Sequence, residues 1–230
     1  MNPTQQVLDP VTEADTPTNV YRLPATDALV ALHTAARDRT ASQADFIRAA
    51  ARLIHIVLEE SLARMRHTQA TVTTPTGFQF TGLKRTQDDI FAVSVPRAGD
   101  AFEAELRQLC PGARLGKILI QRDPTTKLPH LFYTKLPRDI AGREVLLMDP
   151  MLATAGTTLL AIDTLEAAGV REQDIIFANV LACPSGLEAL TKARPATRVV
   201  TSFVDEGLTE QAFMRPGIGD FGDRYFGTTS

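Results

Sequence analysis

An α/β fold, a doubly wound parallel sheet of about five strands, is predicted for this chain by two observations. Five short apolar runs, at residues 90–95, 116–121, 144–148, 174–181 and 198–204, are rich in Val, Ile, Leu and Phe and show little polar alternation. That is the mark of strands buried on both faces. Helical stretches lie between the runs at residues 100–110, 157–168 and 185–192, and Gly169 stands where a left-handed residue ends a helix.

Taken in order, residues 1–24 carry Pro, Thr, Asn and Asp with isolated apolar residues, so they bury little surface and are expected to form a flexible arm. Residues 25–230 are expected to form a single domain. From 42 to 66, Phe46, Ala49, Ala50, Leu53, Ile54, Val57, Leu58, Leu62 and Met65 recur at three- and four-residue steps, which predicts an amphipathic helix. Pro75 and Gly77 among Thr, Val and Phe predict two short strands around a turn at residues 71–82. Residues 125–138 hold Pro129 and Pro137 around His130-Leu131-Phe132-Tyr133 and are expected to project as a β-arm.

The chain has 230 residues, 44% of them hydrophobic and 22% charged, as in ordinary globular proteins and unlike disordered or collagen-like ones. A formal charge of −3 provides no basic footprint for nucleic acid. No apolar run approaches the length of a membrane span, and Cys110 and Cys183 lack metal or disulfide spacing, so a cytoplasmic protein with buried thiols is expected. His33, His55, His67 and His130 show no ligand spacing and are read as structural. Asp88-Asp89 is read as a solvated turn.

Ligands of open parallel sheets bind beyond the carboxyl ends of the strands. One such turn concentrates small and hydroxylated residues: Asp149-Pro150-Met151-Leu152-Ala153-Thr154-Ala155-Gly156-Thr157-Thr158, between the run 144–148 and the helix that follows. A helix N-terminus offers free N–H groups and the positive end of the dipole to an anion such as a phosphate. Thr154, Thr157 and Thr158 add hydroxyls, Gly156 permits close approach, and Asp149 is placed to accept from ribose hydroxyls or to meet Mg²⁺. Read without any family, the turn is either a phosphate cradle or structural punctuation. The spacing Gly-x4-Gly-Lys-Ser/Thr is absent.

The segment from Asp149 to Thr157 resembles the signature of uracil phosphoribosyltransferases that binds 5-phosphoribosyl-1-pyrophosphate (PRPP). Val95-Pro96-Arg97-Ala98-Gly99, Gln121-Arg122-Asp123-Pro124, Asp205-Glu206-Gly207-Leu208 and the run from Pro216 to Thr228 are similar to the same family. The resemblance implies a type I phosphoribosyltransferase core with a small hood formed by residues 205–230, and a homo-oligomer, dimer or tetramer. It implies the conversion of uracil and PRPP to UMP and pyrophosphate with Mg²⁺. It also implies site residues. Arg97 and Arg122 would contact pyrophosphate, and Asp149, Pro150, Met151, Leu152, Ala153, Thr154, Ala155, Gly156 and Thr157 would cradle the ribose and 5′-phosphate. Asp220 would contact PRPP, and Met214, Gly219, Asp220 and Phe221 would read the uracil edge. Arg97, Arg122, Asp149 and Asp220 form the expected catalytic set.

The chain departs from that pattern at Ala155, where the family has a second glycine, at Gln121 in place of tyrosine, at Phe213 in place of tyrosine, and at Arg215 in place of an aliphatic residue. A positive φ at Ala155 would cost roughly 1–2 kcal/mol. Two other readings follow from these departures: a nucleotide-binding relative without catalysis, and transfer to a different heterocycle selected by Arg215.

Overall fold

The computed structural model describes residues 18–85, 90–122 and 128–228, apart from the side chain of Arg122. The readings made for residues 1–17, for Asp88-Asp89, for the Arg122 side chain and for Asp123-Pro124 lie outside the described residues.

All five apolar runs are strands. They form β4 (Phe91–Ser94), β5 (Arg114–Arg122), β7 (Val145–Met148), β9 (Ile175–Ala182) and β10 (Arg198–Val204). With β1 (Val20–Arg22) and β6 (Pro129–Lys135) they make a sheet of order β1-β10-β9-β7-β4-β5-β6, and short β8 (Met151–Leu152) pairs with β9. Every pairing is parallel except β5 with β6.

The continuous apolar character of the strands has a direct cause in the layers above and below. Leu146 and Met148 of β7 face one core, which holds side chains of α1 (Asp27–Arg37), α2 (Gln43–Ala63) and α3 (Ala101–Leu109). Val145 and Leu147 face the other, filled from α4 (Gly156–Ala167) and α5 (Pro184–Ala193). A strand with helices on both sides has no solvated face on which to place polar residues.

Helix α2 follows the predicted periodicity: Phe46, Ala49, Ala50, Leu53, Ile54, Val57, Leu58 and Leu62 are buried, and the Ser42 side chain caps it by accepting from Asp45 N. The sequence reading missed α1, although its signals are present. Thr26 Oγ1 accepts from Leu29 N at 3.3 Å, and Leu29, Leu32, His33 and Ala36 share the buried face. His33 bonds Ser202 Oγ through Nε2 at 2.9 Å, and burial holds its pKa down at about 3.

Two expectations are corrected. Val20–Arg22 falls within the stretch expected to be an arm, yet it pairs in parallel with β10, with Asn19 Nδ2 bonded to Thr197 O at 2.8 Å. An open sheet edge recruits even a short strand. Residues 129–135, expected to project, lie along the other edge as β6. Their approach is close: a Cβ at Gly116 would meet Lys135 O at 2.9 Å. The free-standing ribbon is the hairpin of β2 (Thr68–Thr73) and β3 (Gln79–Lys84), turned by Gly77 at φ +87°. It exposes Val72, Phe78, Phe80 and Leu83.

The C-terminal segment adds the hairpin of β11 (Gly207–Leu208) and β12 (Met214–Arg215), then α6 (Phe221–Phe226). No helix among the described residues is long and apolar enough to cross a membrane. Both cysteines are buried free thiols.

Candidate active site at the ends of β4 and β7

The chain leaves β4 toward β5 on one side and later leaves β7 toward β9 and β10 on the other. Strand order therefore reverses between the adjacent strands β4 and β7, and the turns leaving them open a crevice at their carboxyl ends. The two turns are locked together. Val95 N donates to Met148 O at 3.1 Å, and a Cβ at Gly99 would meet that same carbonyl at 2.5 Å. Only glycine allows the first turn to press so closely on the end of β7.

Beneath the first turn, buried Ser94 donates to Asp100 Oδ1 (3.1 Å) and Glu103 Oε1 (2.8 Å), and Lys117 Nζ reaches the same two oxygens at 3.0 and 3.1 Å. Arg97 projects from this turn, about half exposed. Its Nη2 meets Asp223 Oδ1 at 2.9 Å and its Nη1 donates to Thr228 Oγ1 at 2.8 Å. The Thr228 hydroxyl and Arg97 together hold the Asp223 carboxyl below the usual carboxylate range.

The second turn begins at Asp149. Its carboxyl accepts from Met151 N at 3.2 Å and is otherwise desolvated; burial pushes its pKa up to about 7. Met151–Leu152 rejoins β9, and the chain then enters α4 through Ala155 at φ +64°. The left-handed geometry that would favour glycine is therefore present, although the residue is alanine. Its methyl packs within the second core.

As the cap of α4, Ala155 supplies no side-chain acceptor, and the first turn contains no acid. The positive end of the helix thus carries no acidic side chain of its own in its first turn. A Cβ at Gly156 would meet nothing nearer than Pro129 at 3.6 Å, so packing within the chain does not demand glycine there.

A cleft of about 190 Å³ joins these parts. Arg97, Asp149, Thr157 and Asp220, all named from the sequence, line it with Val95, Pro96, Ala98, Ile120 and Gly222. Asp220 also caps α6, accepting from Asp223 N at 2.8 Å. Of the residues assigned to a base, Gly219 lines a separate cavity of about 600 Å³ with Arg37, Gln43, Phe46 and Arg224. The Phe221 ring is buried, 5.3 Å from Phe46 and stacked on Tyr225 at 5.7 Å, which leaves its backbone for contact. Met214 is buried, and its carbonyl lies 2.2 Å from where a Cβ at Gly217 would stand. Gly217, at φ +72°, has no substitute there.

Two features were not foreseen. Asp223 and Thr228 hold Arg97. Asp205, buried, binds Arg37 at 2.7 Å and accepts from Gly217 N at 2.9 Å, while Arg37 also donates to Gly217 O, so the pair clamps the glycine-rich segment. Arg215 lies outside both cavities, solvated and 3.4 Å from Glu206. Aspartates and threonines of a polar C-terminal run gave no spacing that could single out these contacts.

A family model described as uracil phosphoribosyltransferase matches residues 23–228. The chain is 45% identical over 212 residues to the "Uracil phosphoribosyltransferase" of Dictyostelium discoideum, covering 92% of this chain and 98% of that protein. It is 41% identical over 210 residues to "Uridine/cytidine kinase UKL1, chloroplastic" of Arabidopsis thaliana, but spans only 43% of that longer protein. The AQ2163 protein of Aquifex aeolicus superposes with a TM-score of 0.81 at 25% identity, over 91% of this chain and 99% of that one. A family model spanning both turns of the crevice and the C-terminal segment, together with 45% identity over nearly the full length of a named transferase, makes this chain a member of the uracil phosphoribosyltransferase family and an enzyme of the transferase class.

Proposed function

We propose that the protein transfers the phosphoribosyl group of PRPP to a ring nitrogen of uracil, giving UMP and pyrophosphate. One observation carries the proposal: the uncapped N-terminus of α4, the Asp149 carboxyl, Arg97 and Asp220 converge on a single cleft at the switch point of the sheet.

In this reading the α4 amides and the hydroxyls of Thr154 and Thr157 hold the 5′-phosphate, and Asp149 accepts from the ribose hydroxyls. The bond from the anomeric carbon to pyrophosphate breaks as the bond to nitrogen forms, and positive charge develops on the ribose. Arg97, with Arg122 from the end of β5, stabilises the departing anion through paired charge-assisted bonds. The backbone of Met214, Gly219, Asp220 and Phe221 orients the base, which lowers the entropic cost of bringing nitrogen to carbon.

Among the described residues, no three His, Cys, Asp or Glu side chains gather as a metal cage. Asp149 and Asp220 are the hard oxygen donors at the cleft. That set fits Mg²⁺ carried in by the substrate, since the ion binds through one or two carboxylates plus phosphate oxygens and retains waters. Bound there, it would neutralise pyrophosphate charge.

Neither Ala155 nor Arg215 favours the other two readings. The left-handed geometry at Ala155 is already built into the fold, and Arg215 pairs with Glu206 away from the cleft. The kinase named in the Arabidopsis relative is not carried over, because the chain lacks Gly-x4-Gly-Lys-Ser/Thr. A cytoplasmic homo-oligomer, dimer or tetramer, belongs to the same proposal. The apolar side chains exposed on the β2–β3 ribbon support a second copy of the chain as their cover. Incubation with PRPP, Mg²⁺ and uracil should release UMP and pyrophosphate in equal amounts; absence of both products from folded protein would refute the assignment.

A further inference from the structure

We propose that Asn179 and Thr201, neither of which lines the cleft, act as a positioning pair that sets where the Asp149 carboxyl points. The inference rests on the proposed function, in which Asp149 holds the ribose.

The hydrogen-bond ladder shows why such a pair is needed. Asp149 N donates to Ala178 O at 3.3 Å, which places Asp149 opposite Asn179 in the parallel register of β7 and β9. Continuing that ladder would send Val180 N–H to Asp149 O. Instead Val180 N and Leu181 N both donate to Pro150 O, at 3.1 and 2.8 Å, because the chain steps outward at Pro150 before Met151–Leu152 rejoins β9. The Asp149 carbonyl is thereby deprived of its ladder donor while still enclosed by the sheet.

Asn179, fully buried, supplies the replacement: its Nδ2 donates to Asp149 O at 3.1 Å. An amide can point either way, and the reversed orientation would set two oxygens against each other. Thr201, opposite Asn179 in β10 and also fully buried, fixes the choice by donating its hydroxyl to Asn179 Oδ1 at 2.8 Å, closer than its alternative acceptor Phe203 O at 3.2 Å. A hydroxyl two strands away thus determines the orientation of the amide that holds the backbone of Asp149. Among the described residues the side chain of Asp149 has one hydrogen-bond anchor, the Met151 N–H. Loss of the carbonyl tether leaves the step at Pro150 free to relax and the carboxyl free to turn from the ribose.

The test compares Asn179→Leu, Thr201→Val and Thr201→Ser in the full chain, with wild-type protein alongside. Steady-state kinetics should show the KM for PRPP raised on the order of tenfold in the first two, with the KM for uracil changed less than about twofold. Thr201→Ser keeps the hydroxyl and should return the PRPP KM to the wild-type value. If Asn179→Leu does not fold, Thr201→Val and its serine counterpart decide the matter. Wild-type turnover with an unchanged PRPP KM in folded Thr201→Val, or equal losses in Thr201→Val and Thr201→Ser, would overturn the positioning role while leaving the proposed function intact. Wild-type protein that neither binds nor uses PRPP would overturn both.

Discussion

Replacing Asp149 with Asn should make the protein more stable at pH 8 and abolish its activity. In the fold the carboxyl is desolvated, with one N–H donor, and its pKa is raised from 3.8 to about 7. The sign follows from proton binding. Below about pH 4 the group is protonated in both folded and unfolded chains, so it contributes no pH dependence. Between about 4 and 7 the folded chain keeps a proton that the unfolded chain has released, and stability declines as pH rises. A separation of about three units amounts to about 4 kcal/mol once the folded group is also ionised, of which about 2.5 kcal/mol accrues between pH 5 and pH 8. Asn keeps the acceptor for Met151 N–H and never ionises. Urea unfolding of both proteins at pH 5 and pH 8 should therefore show the variant gaining about 2–3 kcal/mol on the wild type between the two conditions. An advantage that is the same at both pH values would refute the buried-carboxyl reasoning. The catalytic counterpart is that the wild-type kcat/KM for PRPP should fall as pH drops below 7, because the ribose hydroxyls need an ionised acceptor.

Other substitutions test neighbouring parts. Ala155→Val places a β-branched residue at φ +64° and should cost roughly 2 kcal/mol or more in thermal or urea unfolding. Ala155→Gly relieves strain of roughly 1–2 kcal/mol but loses a buried methyl worth about 0.8 kcal/mol and loosens the unfolded chain, so its net change should stay within about 1 kcal/mol. Asp223→Asn removes the partner of Arg97 without touching the core; stability should hold while the KM for PRPP shifts several-fold, on the order of fivefold, in steady-state assays. Arg215→Ile should leave the preference for uracil over other bases unchanged, since the guanidinium pairs with Glu206 at the surface.

The parallel sheet was legible because burial on both faces removes the polar alternation that would otherwise blur a strand, as Val145-Leu146-Leu147-Met148 shows. Elements at the margins were harder to see for a physical reason. Val20–Arg22 is a strand only because β10 offers it an edge, and nothing in three residues encodes that edge. The 129–135 segment carries two prolines nearby and several exposed apolar groups, which describe an arm and an edge strand equally well. Helix α1 could have been found from Thr26 and the spacing of Leu29, Leu32 and Ala36, but it follows directly on a proline-rich stretch that reads as unstructured.

The site divides along a similar line. A phosphate loop announces itself, since small residues, hydroxyls and a helix start must follow one another in sequence for the anion to meet them. The groups that hold such a loop in place obey no such constraint. Asn179 is one polar residue in an otherwise apolar strand, and from the sequence it reads as an interruption of Ile175-Ile176-Phe177-Ala178-Asn179-Val180-Leu181-Ala182. Its purpose emerges only when the step at Pro150 is seen to divert two N–H groups away from Asp149 O. A buried amide in a central strand is costly unless its donors and acceptor are matched, and here both ends are matched by groups 30 residues upstream and 22 residues downstream. In β9 the polar exception to the apolar pattern therefore lies beside the functional turn, and the deviation from the apolar run marks where the turn is anchored.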